Sequence, residues 1–226
     1  MPASRNFGSH LPDYASPTSY NPSEDLLQHW ENEKLRIVTY PHPALRHKSK
    51  PLRRVDAELR AIVREMFELM YASRGIGLAA NQVGLPFRLF IANLEGEPGE
   101  GEELVFINPV LSRPKGTEEK EEGCLSFPEL YGPVKRPKQI HVSAYNLAGE
   151  EVSGTLDGML SRVVQHETDH LEGVLFTDRM SPLAGQEVQD DLDVFETDFL
   201  SRRATGEIPS DAEVAASLAE WESKYC

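Results

Sequence analysis

Long apolar runs, cysteine and basic charge are all scarce in these 226 residues. No stretch approaches eighteen consecutive apolar residues, which excludes a transmembrane helix. The start of the chain lacks an apolar core segment, so no secretory signal is expected. Arg5 is its sole early basic residue, which disfavours a transit peptide. Two cysteines, Cys124 and Cys226, are too few for a disulfide framework. A reducing, cytoplasmic compartment fits that count, and it leaves Cys124 free for chemistry. Lys and Arg number 23 against 37 Asp and Glu, a net charge of -14. Neither nucleic acid nor an anionic membrane is therefore expected as the main partner, since both require a basic face.

The chain is long enough for one full core with appendages. Residues 1–33 are rich in Pro, Ser, Asn and Tyr without a sustained period and read as a flexible arm. Leu35-Arg36-Ile37-Val38 reads as a short strand, broken by Tyr40-Pro41-His42-Pro43. His42 and His47 read as solvated surface residues. Leu59, Ile62, Val63, Met66, Phe67 and Met70 form a helical stripe, with Asp56 as N-cap and Gly75 as stop. Strands are expected at Arg88–Asn93, Leu104–Asn108 and approaching Cys124, with acidic connectors over 95–103 and 114–122. A hairpin from Gln139 to Leu156 should turn at Ala148-Gly149. A helix from Met159 to about Glu172 should stop at Gly173.

The order implies an α+β fold, mainly antiparallel sheet packed around a central helix, with an N-terminal helix and a C-terminal helical appendage. The domain is expected over 34–181 and the acidic tail over 182–226. In that tail Val188, Leu192, Phe195 and Phe199, then Val214, Leu218, Trp221 and Tyr225, share a 4-3-4 spacing. Each set is an apolar seam on a helix. Ser210-x-x-Glu213 reads as a capping box, and Thr205–Pro209 lets the two helices fold back as a hairpin. Docking on the chain's own domain is the first reading of the seams. Pairing in a homodimer is the second.

The chemistry begins at Gln165-His166-Glu167-Thr168-Asp169-His170. Positions i and i+4 on a helix share one face, so His166 and His170 can reach one metal ion with Glu167 beside it as a general base. A third ligand is needed. The extension H-E-x-x-H-x-x-G-x-x-H fails, because Phe176 stands at its last position. Glu187 or Glu196 could serve from the tail, where a solvated face is the default. Cys124, in Glu122-Gly123-Cys124-Leu125-Ser126, is the stronger candidate. A thiolate and two neutral imidazoles make three ligands and leave a fourth position open for water.

Three segments together resemble the signature motifs of the peptide deformylases: Gly75-x-Gly77-x-Ala79-Ala80-x-Gln82, Glu122-Gly123-Cys124-Leu125-Ser126 and Gln165-His166-Glu167-x-Asp169-His170-Leu171-x-Gly173. The resemblance runs from about residue 34 to 181. It implies removal of the formyl group from the N-terminal formyl-methionine of new polypeptides. It also implies Cys124, His166 and His170 as metal ligands, typically for Fe2+, with Zn2+, Ni2+ or Co2+ able to substitute. Glu167 would move the proton, and the Gln82 side chain and Leu125 backbone N–H would hold the oxyanion. Gly75 and Gly77 should let an extended peptide come close. Val163 should line the methionine pocket. Glu122, at the substrate cleft, and Asp169 should orient ligands by hydrogen bonds. Many bacterial deformylases carry a basic C-terminal helix that touches the ribosome. From Ser181 onward this chain has 11 acidic and 3 basic residues, so ribosome proximity by that route is disfavoured.

Overall fold

The computed structural model describes residues 35–226, so the expected arm at 1–33 lies outside the described residues. After a short 3-10 turn at Pro43–Arg46 comes α1, Ala57–Ala72. Asp56 caps α1 by accepting from Leu59 N. The stop is one residue earlier than the sequence suggested. Arg74 takes the left-handed conformation at φ 56°, and Gly75 follows it, donating to Met70 O. This six-to-one bond closes the helix as a Schellman motif with arginine in the usual glycine position.

Seven strands follow: β1 (Gly77–Ala79), β2 (Leu89–Ala92), β3 (Leu104–Lys115), β4 (Glu118–Cys124), β5 (Phe127–Arg136), β6 (Gln139–Tyr145) and β7 (Glu151–Asp157). They build an antiparallel five-stranded sheet, β1-β2-β3-β6-β7, and a separate hairpin, β4-β5. The β6-β7 turn is as expected, with Gly149 at φ 78° and Asn146 Oδ1 accepting from Ala148 N and Glu150 N. Then come α2 (Gly158–Leu171), α3 (Pro182–Glu187), α4 (Gln189–Ala204) and α5 (Asp211–Tyr225).

The segment 114–122 is no connector: β3 runs to Lys115 and β4 begins at Glu118. Leu35–Val38 joins no ladder. Val38 N donates to Gln82 O while Tyr40 N donates to Ser126 O. The segment thus bridges two neighbours, and the prolines that follow remove the donors a ladder needs.

Strand β2 explains the layering. All four of its side chains are buried. Leu89 and Ile91 pack with Leu59, Ile62, Val63 and Met66 of α1, whereas Phe90 and Ala92 pack with Val163, Val164 and Leu171 of α2. Period-two alternation in a sheet covered on both sides gives an unbroken apolar run. The motif helix is therefore sandwiched between the sheet and the β4-β5 hairpin, which has its own cluster of Phe127, Leu130, Val134 and Phe176.

The tail helices dock on different parts of this body. Val188, Leu192 and Phe195 join the cluster under β5, and Phe195 meets the Phe127 ring at 5.9 Å. Tyr225 and Trp221 pack edge-on against Phe87 at 5.1 and 5.9 Å. Ser210 and Glu213 form the expected capping box. The two histidines read as solvated are both engaged. His42 Nδ1 caps the 3-10 turn at Ala44 N, and its ring lies edge-on to Phe199. Burial, with help from Arg203, lowers its pKa to about 4. His47 Nε2 lies 2.8 Å from Glu222 Oε1 on α5. Docking of the tail supplied partners that local sequence does not reveal. Among the described residues no helix is long and apolar enough to cross a membrane.

Candidate active site

Helix α2 ends in a second Schellman motif. Gly173 at φ 71° donates to His170 O, and Val174 N donates to Asp169 O. A Cβ on Gly173 would stand 2.5 Å from Arg46 O, so the close approach and the positive φ both require glycine. The helix presents His166, Glu167 and His170 toward the end of β4, where Cys124 sits. One donor atom from each of Cys124, His166 and His170 lies within 4.8 Å of the others. Cys124 Sγ is 3.3 Å from His170 Nε2.

His166 Nδ1 lies 3.0 Å from Glu122 Oε2, which leaves Nε2 for the cluster. Glu122 is buried and fully occupied. Arg136 Nε and an Arg136 terminal amino group donate to its two oxygens at 2.7 and 2.9 Å. Arg162 Nη1 donates to Oε1 at 2.5 Å and to Val134 O at 3.1 Å. Arg136 also reaches Asp169 at 2.7 Å, and Arg179 grips both Asp169 oxygens. A chain of alternating charge thus runs from Arg179 through Asp169, Arg136 and Glu122 to His166. Burial pushes the Glu122 carboxyl up, but His166 and Arg136 outweigh it and bring the pKa down to about 2. Glu122 therefore has no oxygen left for a substrate. It orients His166, and so its place in the cleft wall is structural.

Burial alone lowers the pKa of both imidazoles. For His166 the Cys124 sulfur and the Glu122 carboxylate win, raising it to about 10. For His170 nothing compensates, and the neighbouring His166 pushes it lower still. Glu167 is 4% exposed. Burial raises its pKa to about 7, against the pull of His166 and Arg136, and its Oε2 has no hydrogen-bond partner.

Gln82 sits in a 3-10 turn, Ala80–Val83, directly after β1. Its Oε1 accepts from Ala79 N at 2.8 Å, which fixes the amide so that Nε2 faces Cys124 Sγ at 3.4 Å and Ser126 Oγ at 3.2 Å. Leu125 occupies the turn between β4 and β5. A cleft of about 790 Å³ connects these groups, bounded by Gly75, Ile76 and Gly77 on one side and by Leu125, Tyr131 and Val163 elsewhere. Neither Glu187 nor Glu196 lines it. Glu196 instead accepts from Tyr40 OH at 2.7 Å.

The two glycines have a role that their sequence context did not suggest. A Cβ on Gly77 would lie 2.5 Å from Glu167 Oε1 and 2.9 Å from Val163 Cγ1, and one on Gly75 would lie 2.6 Å from Leu125 Cδ1. They make room for the site's own side chains. Gly77→Ala should therefore displace the Glu167 carboxylate and lower kcat by about tenfold to a hundredfold, because small misplacements near reacting atoms are costly. Steady-state kinetics beside a circular dichroism melt will check this, and unchanged kcat would disprove it. Arg136, Arg162 and Arg179 were not anticipated from sequence. For Arg136 a signal existed: it falls in register with the buried Leu130 and Val134 of β5. A buried arginine needs an acidic partner.

The family model described as Polypeptide deformylase matches residues 34–186. A peptide deformylase of Rhodopirellula baltica is 49% identical over 191 residues, covering 84% of this chain and 95% of that protein. The chloroplastic peptide deformylase 1B of Solanum lycopersicum is 49% identical over 148 residues, covering 65% of this chain and 53% of that protein. A plant peptide deformylase crystal structure superposes with a TM-score of 0.73 at 42% identity, over 78% of this chain and 95% of that one. The Thermotoga maritima enzyme superposes at 0.61 and 42%, over 66% of this chain and 99% of that one.

Proposed function

Since the chain belongs to the peptide deformylase family and, as its members do, removes the N-formyl group from nascent polypeptides, we propose that the chemistry runs in the Cys124, His166 and His170 pocket. The substrate is an N-terminal formyl-methionine, and formate is released. The observation that carries this reading is the convergence of one sulfur and two imidazole nitrogens beside a buried carboxylate with a free oxygen.

The donor set fits a divalent metal. Cys124 Sγ stands 3.3 Å from His170 Nε2, and the Glu122 contact at Nδ1 leaves His166 Nε2 free, so these three residues would hold the ion. A thiolate with two imidazoles suits Fe2+, our choice, and also Zn2+, Ni2+ or Co2+. Bound there, the metal would supply Lewis acidity toward a water and a carbonyl oxygen. Glu167 accepts the water's proton at Oε2 and returns it to the leaving amine. Gln82 Nε2 and Leu125 N–H donate to the oxygen that gains charge. Glu122 holds His166, and Asp169 holds Arg136 behind it. Val163 lines the methionine side-chain pocket, and the peptide runs as an added strand between the β1 edge and the β4-β5 hairpin. The setting is one where formylated chains are made and thiols stay reduced, the bacterial cytoplasm.

The test is formate release from formyl-Met-Ala-Ser by protein loaded anaerobically with each of the four metals in turn. Turnover with at least one is expected. No formate with any of them overturns the reading.

A further inference from the structure

We infer that Asn81 is a positioning residue of the metal pocket: its buried amide ties the turn carrying Gln82 to the turn of α2 carrying His170, and so sets the spacing of Cys124 and His170. The inference rests on the reading of that pocket as a metal site.

The two imidazoles are held in different ways. His166 is fixed through its ring, by Glu122 at Nδ1. His170 Nδ1 is buried without a partner. What holds His170 is its main chain, where Asn81 Nδ2 donates to His170 O at 2.5 Å across 89 residues of sequence. That carbonyl already accepts from Gly173 N at 3.0 Å. The Asn81 bond is therefore not needed to satisfy it. What the bond adds is a cross-link.

Asn81 is also a poor choice for stability. It is fully buried, and its Oδ1 has no hydrogen-bond partner. A desolvated, unpaired acceptor carries a penalty that alanine would avoid. Next along the chain, Gln82 points toward Cys124 Sγ and Ser126 Oγ. Asn81-Gln82 thus spans the gap between the end of α2 and the end of β4, the two elements that bring His170 and Cys124 together. A site held to its productive geometry needs such supporting contacts.

The test compares wild type with Asn81→Ala and Asn81→Asp in the full chain. The measurements are the rate of metal loss to a chelator, the visible spectrum of the cobalt form, kcat and KM for formyl-Met-Ala-Ser, and the melting temperature of the metal-free protein. For Asn81→Ala we expect metal loss about tenfold faster, a shifted cobalt spectrum, and kcat about tenfold lower at unchanged KM. The metal-free melting temperature should equal or exceed that of wild type. Asn81→Asp, which sets a carboxylate against the His170 carbonyl, should be worse than alanine in metal retention. If Asn81→Ala keeps metal loss and the cobalt spectrum within twofold of wild type, the inference is wrong, whatever its melting temperature. The metal readouts need no substrate. A wild type that releases no formate would therefore sink the proposed reaction and still leave the role of Asn81 decided.

Discussion

Cys124→Ala should fold, lose formate release to below detection, and hold metal at least about a hundredfold more weakly than wild type. Two imidazoles alone are one ligand short of a catalytic site. Without the thiolate the sulfur 3.3 Å from His170 Nε2 is lost, whereas Glu122 still ties β4 to His166 and Arg162 of α2. The thiol is half-buried at the margin of the Phe127 and Leu130 cluster, so the main loss should be in metal content and not in folding. Titration with metal followed by equilibrium dialysis gives the number. Cys226→Ala is the control. That thiol sits near Lys50 O at the end of α5, where burial raises its pKa, and it lines no part of the cleft. It should keep full activity. Undiminished turnover in Cys124→Ala would hand the third ligand to another group. Neither tail glutamate is placed for that, since both lie off the cleft.

The parts of this molecule that could be read from sequence are those whose cause is local. Asp56 caps α1 because the acceptor stands three residues before the amide it takes. The β6-β7 hairpin is written in Asn146, Ala148 and Gly149. His166 and His170 follow from the pitch of a helix, and Cys124 from the arithmetic of ligands. What stayed hidden depends on packing between distant segments. Strand β5 contains Pro128, Gly132 and Pro133, each of which speaks against a strand, yet a two-stranded hairpin has outer edges that tolerate proline. The three residues of β1 are too few to show a period. His47 reads as a surface residue until α5 brings Glu222 to it. The Arg179, Asp169, Arg136 and Glu122 chain draws on α2, both strands of the hairpin and the 3-10 turn Phe176–Arg179, so no window of sequence contains it. Gly75 and Gly77 line the cleft, and what sequence did not reveal is that their missing side chains also make room for Glu167, Val163 and Leu125.

Glu167→Ala should behave differently from Cys124→Ala, and the difference separates ligand from base. Metal content should stay at wild-type level, while kcat falls by about a hundredfold to ten-thousandfold, the usual contribution of a positioned general base. Its carboxylate is poised for the task, since burial brings its pKa to about 7, near the pH at which it would exchange protons. The same burial carries a cost. In the metal-free protein the folded state binds this proton more tightly than the unfolded state, whose carboxyl has an ordinary pKa near 4.5. The group is therefore neutral to stability at acid pH, and it destabilises progressively as pH rises from about 4.5 to about 7. Above that the penalty is constant, on the order of 3 kcal/mol. Glu167→Gln, which cannot ionise, should escape it. Metal-free Glu167→Gln should melt at a higher temperature than wild type at pH 8 and at nearly the same temperature at pH 4.5, while showing the same loss of turnover as alanine. Paired melts at the two pH values decide the point. A variant that is no more stable at pH 8 would mean that the carboxylate finds compensation in the pocket, and that its proton affinity is not what prepares it for catalysis.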